Sequence, residues 1–150
     1  MIITFLGHSS IYNKKELFDK IKITIVKNID KKDYVLFYSG GYGEFDEICT
    51  SVCNAIKKDG IRCEIIYITP YITKSEQNKM NHILELKEYD SIIYPPLERV
   101  PLKLAISKRN EWMVEKADLV IAYVKNTYGG AYNGLRYAQR KKKKIINLAE

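Results

Sequence analysis

Three short stretches hold the residues that could do chemistry. They are Gly7-His8-Ser9-Ser10, Ser39-Gly40-Gly41-Tyr42-Gly43 with Glu44, Asp46 and Glu47 behind it, and Asn126 to Gly130. Each follows an apolar run, and the second leads into apolar residues at helical spacing: Phe45, Ile48, Cys49, Val52 and Ile56. Strand, glycine loop and helix together point backbone N–H groups at an anion. Glycine suits that place because a side chain would block both the turn and a ligand's approach. The same pattern also describes a tight strand-to-helix turn that holds nothing.

The acids behind the second loop bear on what could sit there. Glu44, Asp46 and Glu47 fall in the first turn of a helix, where the dipole favours negative charge and where they would repel a phosphate. Asp46 is therefore read either as a helix cap or as a partner for ribose hydroxyls. Arg109 lies on the apolar stripe Leu102, Ala105, Ile106, Met113 and Ala117, so its guanidinium points inward and needs a partner. An internal ion pair with Asp46 or Asp118 is one reading, and a phosphate or carboxylate clamp beside Asn110 is the other. His8 could act as acid, base or phosphate donor, or could bond backbone in its loop. Of the twelve tyrosines, Tyr42, Tyr128 and Tyr132 flank glycines and could stack on a base, while Trp112 reads as core.

The elements that must position these groups alternate between strand and helix. Strands are expected at 2–6, 34–38, 62–69, 90–94, 119–124 and 144–148. Helices are expected at 14–29, 45–59, 73–86, 102–116 and 131–140, with Gly60 as a stop and Pro101 in a first turn. The strands are continuous apolar runs, as in a mainly parallel sheet covered on both faces. The fold class is thus α/β: a Rossmann-like three-layer domain over residues 1–150. In such sheets ligands bind beyond the carboxyl ends of the strands, and the first and last of the three loops should flank the point where strand order reverses. Neither a G-x-G-x-x-G after the first strand nor a Walker-type Gly-Lys-Ser/Thr occurs.

Composition narrows the setting. The chain has 150 residues, 46% of them hydrophobic, and no apolar run approaches the roughly 18 residues of a membrane span. The start, Met-Ile-Ile-Thr-Phe-Leu, lacks the basic region of a signal peptide and reads as the first strand, so a cytoplasmic location is expected. The three cysteines, Cys49, Cys53 and Cys63, form no CxxC pair and read as core residues; no metal site is assigned. The net charge is +7, of which Arg140 to Lys144 supply five, leaving +2 for the rest. That run reads as a solvated helix end or, alternatively, as a contact for nucleic acid.

Taken together, Gly7-His8, Gly40-Gly41-Tyr42-Gly43-Glu44-Phe45-Asp46, Ile93-Tyr94-Pro95-Pro96, the stretch Ala105 to Val114, Ala117-Asp118, Gly129-Gly130-Ala131 and Ile145 to Leu148 resemble the YpsA-like branch of the SLOG superfamily. The resemblance covers almost the whole chain. It implies a Rossmann-like fold and a ligand derived from nucleotides, such as a nucleotide sugar, NAD or ADP-ribose. Relatives include DNA-processing protein A and the Lonely Guy phosphoribohydrolases, and dimers through sheet-covering helices are common among them. Members often carry arginine after the Gly-His pair, where this chain has Ser9. The phosphoribohydrolases use Pro-Gly-Gly-x-Gly-Thr-x-x-Glu after a late strand. Here that place holds Tyr128 to Gly134 with no glutamate.

The expectation from sequence is therefore a binding or sensing module for a small nucleotide-derived ligand. Gly7, His8, Ser9, Gly40, Gly41, Tyr42, Gly43, Asp46, Arg109, Asn110, Gly129 and Gly130 would form the site, with no catalytic residue assigned. Nucleic acid and membrane are not expected partners; self-association is allowed. The alternatives are an N-glycosidic hydrolase or transferase using Glu44, Asp46 or Glu47, and a DNA-associated module acting through the basic C-terminal end.

Overall fold

A computed structural model describes residues 1–149. Six parallel strands form one sheet in the order β4-β3-β2-β1-β5-β6. They are β1 (Ile2–Gly7), β2 (Val35–Ser39), β3 (Cys63–Ile68), β4 (Ser91–Ile93), β5 (Leu119–Tyr123) and β6 (Lys144–Asn147). The chain winds outward from β1 through β2 and β3 to β4, then crosses to the other side for β5 and β6. Strand order therefore reverses between β1 and β5, where Ile3 pairs with Leu119 and Gly7 with Tyr123. The α/β Rossmann-like architecture expected from the alternating apolar runs is what the chain adopts.

Five helices cover the sheet: α1 (Lys14–Asn28), α2 (Glu44–Lys58), α3 (Lys74–Glu85), α4 (Ala105–Lys116) and α5 (Gly130–Arg140). Side chains alternate across each strand, so β5 sends Leu119, Ile121 and Tyr123 to one face and Val120 and Ala122 to the other. The first set packs with Ile3, Phe5, Phe37 and Ile65 under Leu17, Ile21 and Ile25 of α1 and Phe45, Val52 and Ile56 of α2. The second packs with Leu6 under Val114 of α4 and Leu135 and Ala138 of α5. Each fully buried Leu, Ile or Phe contributes about 1.5–3 kcal/mol against exposure, so the two faces hold the strand ends rigidly. Cys49, Cys53 and Cys63 lie free in the first face. Burial pushes their thiol pKa values up. No helix among the described residues is long and apolar enough to cross a membrane.

Several expected elements are shorter, and at two of them the cause is visible. The helix expected from 102 divides into a 3₁₀ turn, Leu102–Leu104, and α4 proper. The Leu104 N–H closes on the Pro101 carbonyl at 2.8 Å, an i→i+3 bond that tightens the start. Strand β4 loses Asp90, whose carboxylate instead accepts the Ile65 N–H at 2.8 Å, and Tyr94, after which Pro95 has no N–H with which to continue the ladder.

Candidate functional site

The carboxyl ends of β1 and β5 open on a cleft of about 510 Å³ at the reversal point. Its lining draws on loops far apart in the chain: Gly7 to Tyr12 after β1, Tyr42 before α2, and Lys125, Asn126 and Tyr128 to Ala131 after β5. Asp46 of α2 and Ile106, Arg109 and Asn110 of α4 complete it. Gly7, His8, Ser9, Tyr42, Asp46, Arg109, Asn110, Gly129 and Gly130 thus come together as the sequence suggested. Gly40, Gly41 and Gly43 do not line the cleft.

Those three glycines are explained by the protein's own packing. A Cβ at Gly40 would stand 2.9 Å from Arg109 Cζ, one at Gly41 2.4 Å from the Tyr67 ring, and one at Gly43 2.8 Å from Ser9 Cα. The N–H groups at the start of α2 are also taken. Glu44 donates to the Ser9 carbonyl at 3.0 Å, Phe45 to the His8 carbonyl at 3.4 Å, and Tyr42 to Asp46 Oδ2 at 3.0 Å. Gly7 is needed because the Phe45 ring lies 2.2 Å from where its Cβ would be. The second glycine loop is therefore filled from within.

The turn before α5 differs. Gly129 has φ of 93° and nothing within 4 Å of its missing Cβ; Gly130 is equally open. Among the described residues, the N–H groups of Gly130, Ala131 and Tyr132 donate to no acceptor, and α5 has no side-chain cap. Such an end attracts anions.

Arg109 is 3% exposed. Its Nη1 donates to the Gly40 and Ile68 carbonyls at 3.1 and 2.8 Å, and its Nε to Asn110 Oδ1 at 2.9 Å. Nη2 donates to no partner among the described residues, yet it is not sealed off, and the residue lines the cleft. Neither expected ion pair forms: Asp118 accepts the Ile2 N–H at 2.7 Å, and no Asp46 carboxylate oxygen lies within 4.0 Å of an Arg109 guanidinium nitrogen. Burial lowers the guanidinium's pKa, and the field of Asp46 acts against that. Burial lifts the Asp46 carboxyl to about 6, opposed by the Tyr42 N–H and by Arg109. The other two acids face elsewhere. Glu44 binds Lys14 Nζ at 2.8 Å, and Glu47 lies exposed on the outer side of α2.

Aromatic residues rim the opening. Tyr12, Tyr42 and Tyr128 are 103%, 71% and 72% exposed and all border the cleft. Tyr132 instead leans on the α4–α5 core, and Trp112 stacks on Tyr38 with ring centroids 5.6 Å apart. Tyr12 and Lys125 were missed by sequence reasoning. The one available signal for Tyr12 was an aromatic among polar loop residues that fits no helical face.

The basic run lies at the opposite end of the sheet, where Lys144 pairs with Leu119 at the start of β5. Lys143 Nζ donates to the Glu115 and Ala117 carbonyls at 2.9 and 3.0 Å, capping α4. Lys141 pairs with Glu115 at 3.8 Å, and Lys144 donates to Asn28 at 3.0 Å.

Fold and cleft define an open, doubly wound α/β protein with a cleft at the reversal of strand order. No family model and no curated protein sequence matches the chain. Among solved structures it is similar to DNA processing protein A from Helicobacter pylori, which binds single-stranded DNA. That likeness has a TM-score of 0.65 and 19% identity over 100% of this chain and 67% of the other. It is also similar to DNA processing protein A from Streptococcus pneumoniae, with a TM-score of 0.62 and 13% identity over 95% of this chain. The chain spans about half, 48%, of that second structure. These likenesses bear out the Rossmann-like fold, and they single out neither the SLOG superfamily nor its YpsA-like branch.

They also correct the sequence-based expectation. With a single-stranded DNA binder among its structural neighbours, the reading as a sensor of a small nucleotide-derived ligand is overturned, and so is the exclusion of nucleic acid as partner. The physical reason lies in the loops. The glycines assigned to a compact ligand's phosphates are packed against Arg109, Tyr67 and Ser9, whereas the exposed groups are an aromatic rim and an open helix end.

Proposed function

We propose that this chain binds single-stranded DNA in the cleft between the β1 and β5 loops. The observation that carries the reading is the rim of exposed tyrosines, Tyr12, Tyr42 and Tyr128, around a cleft that holds Arg109, Lys125 and the free N–H groups of α5. Exposed aromatic rings accept unstacked bases of any sequence, and cations with helix-end donors accept phosphates. A duplex keeps its base faces to itself and has little use for such a rim. The likeness of fold to a single-stranded DNA binder supports the same reading. Within the superfamily we assign the chain to the YpsA-like branch, on Gly7-His8 and the Ala105 to Val114 stretch, as one domain working in the cytoplasm.

The test is fluorescence anisotropy with a short labelled oligothymidylate over a salt series. Wild type should bind, and binding should weaken as salt rises. Replacing Tyr42 and Tyr128 by alanine should weaken binding roughly tenfold or more, at about 1–3 kcal/mol for each stacked base. Neutralising Lys141, Lys142 and Lys144 should leave most of the affinity in place. The reverse pattern, with tyrosines indifferent and lysines decisive, would move the interface to the basic end. Absence of binding would dismiss the proposal.

A further inference from the structure

His8 stands at the seam of the cleft, and its ring does something the proposed binding function does not by itself require. The backbone N–H groups of Lys125 and Asn126 both point at His8 Nε2, at 2.8 and 3.4 Å. A backbone N–H can only donate, so Nε2 must be the unprotonated nitrogen and the proton must sit on Nδ1. The ring is braced edge-on against Tyr123, centroids 6.3 Å apart. Its own carbonyl accepts from Phe45 at the start of α2. One residue thus ties the β1 loop to α2 through its backbone and to the β5–α5 loop through its side chain.

The tied segment matters because it leads to the open side of the cleft. Lys125 and Asn126 begin the loop that presents Tyr128 and the open Gly129–Gly130 turn. The Asn147 side chain holds the loop's root, accepting from the Val124 N–H at 3.1 Å and donating to its carbonyl at 3.0 Å; beyond Val124 the hold is the two N–H bonds to His8 and Lys125 Nζ over the Tyr123 ring, 5.3 Å from its centroid.

We infer that His8 is a positioning residue whose unprotonated Nε2 clamps the β5–α5 loop, making the cleft proton-sensitive. This rests on the proposed single-stranded DNA reading for its consequence, but not for its geometry. Protonation turns Nε2 from acceptor to donor, sets it against two N–H groups and releases the loop. The charged groups that share the cleft are Lys125 from the same loop, Asp46 from α2 and Arg109 from α4; Glu44 of α2 and Lys14 of α1 are paired behind Ile11. Burial lifts the Asp46 carboxyl to about 6, so its own titration must be removed separately.

The experiment uses the free protein first. Hydrogen exchange followed by nitrogen-15 NMR should show the Lys125 amide protected at pH 7.5. His8→Ala should lower that protection factor roughly tenfold, and His8→Gln, whose amide oxygen can take the place of Nε2, should restore it. On acidification to pH 5 the wild type should lose protection while His8→Gln keeps it, in both the native and the Asp46→Asn background. Oligothymidylate affinity should follow the same order. If His8→Ala fails to fold, wild type alone decides, because the Lys125 amide signal must then move with the imidazole titration. A Lys125 amide indifferent to the imidazole overturns the inference, as does His8→Gln behaving like His8→Ala. A direct phosphate contact by His8 would instead strengthen binding on acidification and gain nothing from glutamine. If oligothymidylate does not bind wild type, the proposed function fails while the exchange data still judge the clamp.

Discussion

The turn before α2 and the turn before α5 follow one recipe. In each an apolar strand runs into glycines, and the helix is preceded by a glycine with the same unusual backbone. Gly43 has φ 90° and ψ 169°, and Gly129 has φ 93° and ψ 176°. Yet one is closed and the other open. At Gly43 the Ser9 backbone presses on the missing Cβ and the following N–H groups bond the β1 loop; at Gly129, among the described residues, nothing approaches and the N–H groups remain free. Identical local conformation therefore serves two ends. The first turn is a structural joint that fixes the β1 loop against α2, and the second is exposed at the mouth of the cleft. The glycine count of a loop says that something approaches the backbone closely, and only the tertiary neighbours say whether that is protein or ligand.

The comparison is tested most severely by alanine at the two matching glycines. Both substitutions impose a backbone that is close to glycine-only, at about 1–3 kcal/mol. At Gly43 the methyl must also displace Ser9 Cα from 2.8 Å, and overpacking adds about 1–3 kcal/mol. Urea unfolding should thus show Gly43→Ala less stable by about 4 kcal/mol and Gly129→Ala by about 2. Equal losses at the two positions would show that the Ser9 contact relaxes freely and that the closed turn is not a joint.

Much of this is legible in the sequence. Continuous apolar runs such as Leu119–Tyr123 and the helical stripe from Phe45 to Ile56 reflect burial that a sequence records directly, and they carry the topology. Arg109 on an apolar stripe announced an inward guanidinium, and it is inward. Its partners were not legible: neutral carbonyls of Gly40 and Ile68, residues 69 and 41 positions away, leave no mark in composition. Nor could spacing reveal that Tyr67 and Arg109 fill the space over Gly41 and Gly40, because that depends on the register of β3 against β2 and on where α4 crosses the sheet. The basic run was legible only in part for a similar reason. Its charge was visible, but the capping of α4 by Lys143 depends on where the chain returns.

A smaller effect separates the closed turn's acid from the rest of the cleft. Burial lifts the Asp46 carboxyl to about 6, above the roughly 3.9 of an unfolded aspartate. Between those values the folded protein holds the proton more tightly, so ionising Asp46 weakens the fold as pH rises from about 4 to about 6, and the penalty is constant above that. Asparagine at 46 keeps an acceptor for the Tyr42 N–H and abolishes the titration. Compared with wild type, Asp46→Asn should gain stability on the order of 2 kcal/mol between pH 4 and pH 7.5 in urea melts. Parallel stability profiles would show that the closed turn leaves this carboxylate as well solvated as an exposed one.

The smallest change in stability should accompany the sharpest statement about the open turn. Gly130 is the first residue of α5, lies at an ordinary negative φ and has nothing within 4 Å of its missing Cβ. Alanine there should alter stability by no more than about 0.5 kcal/mol, with a slight gain from reduced freedom in the unfolded chain. The added methyl would nevertheless sit beside the free N–H groups that the proposed strand's phosphate must reach. Gly130→Ala should therefore melt like wild type and bind oligothymidylate several-fold more weakly, with a shallower dependence on salt. A variant unchanged in both would leave the α5 end open but idle, and the contacts to the strand would then have to come from the tyrosine rim and Arg109 alone.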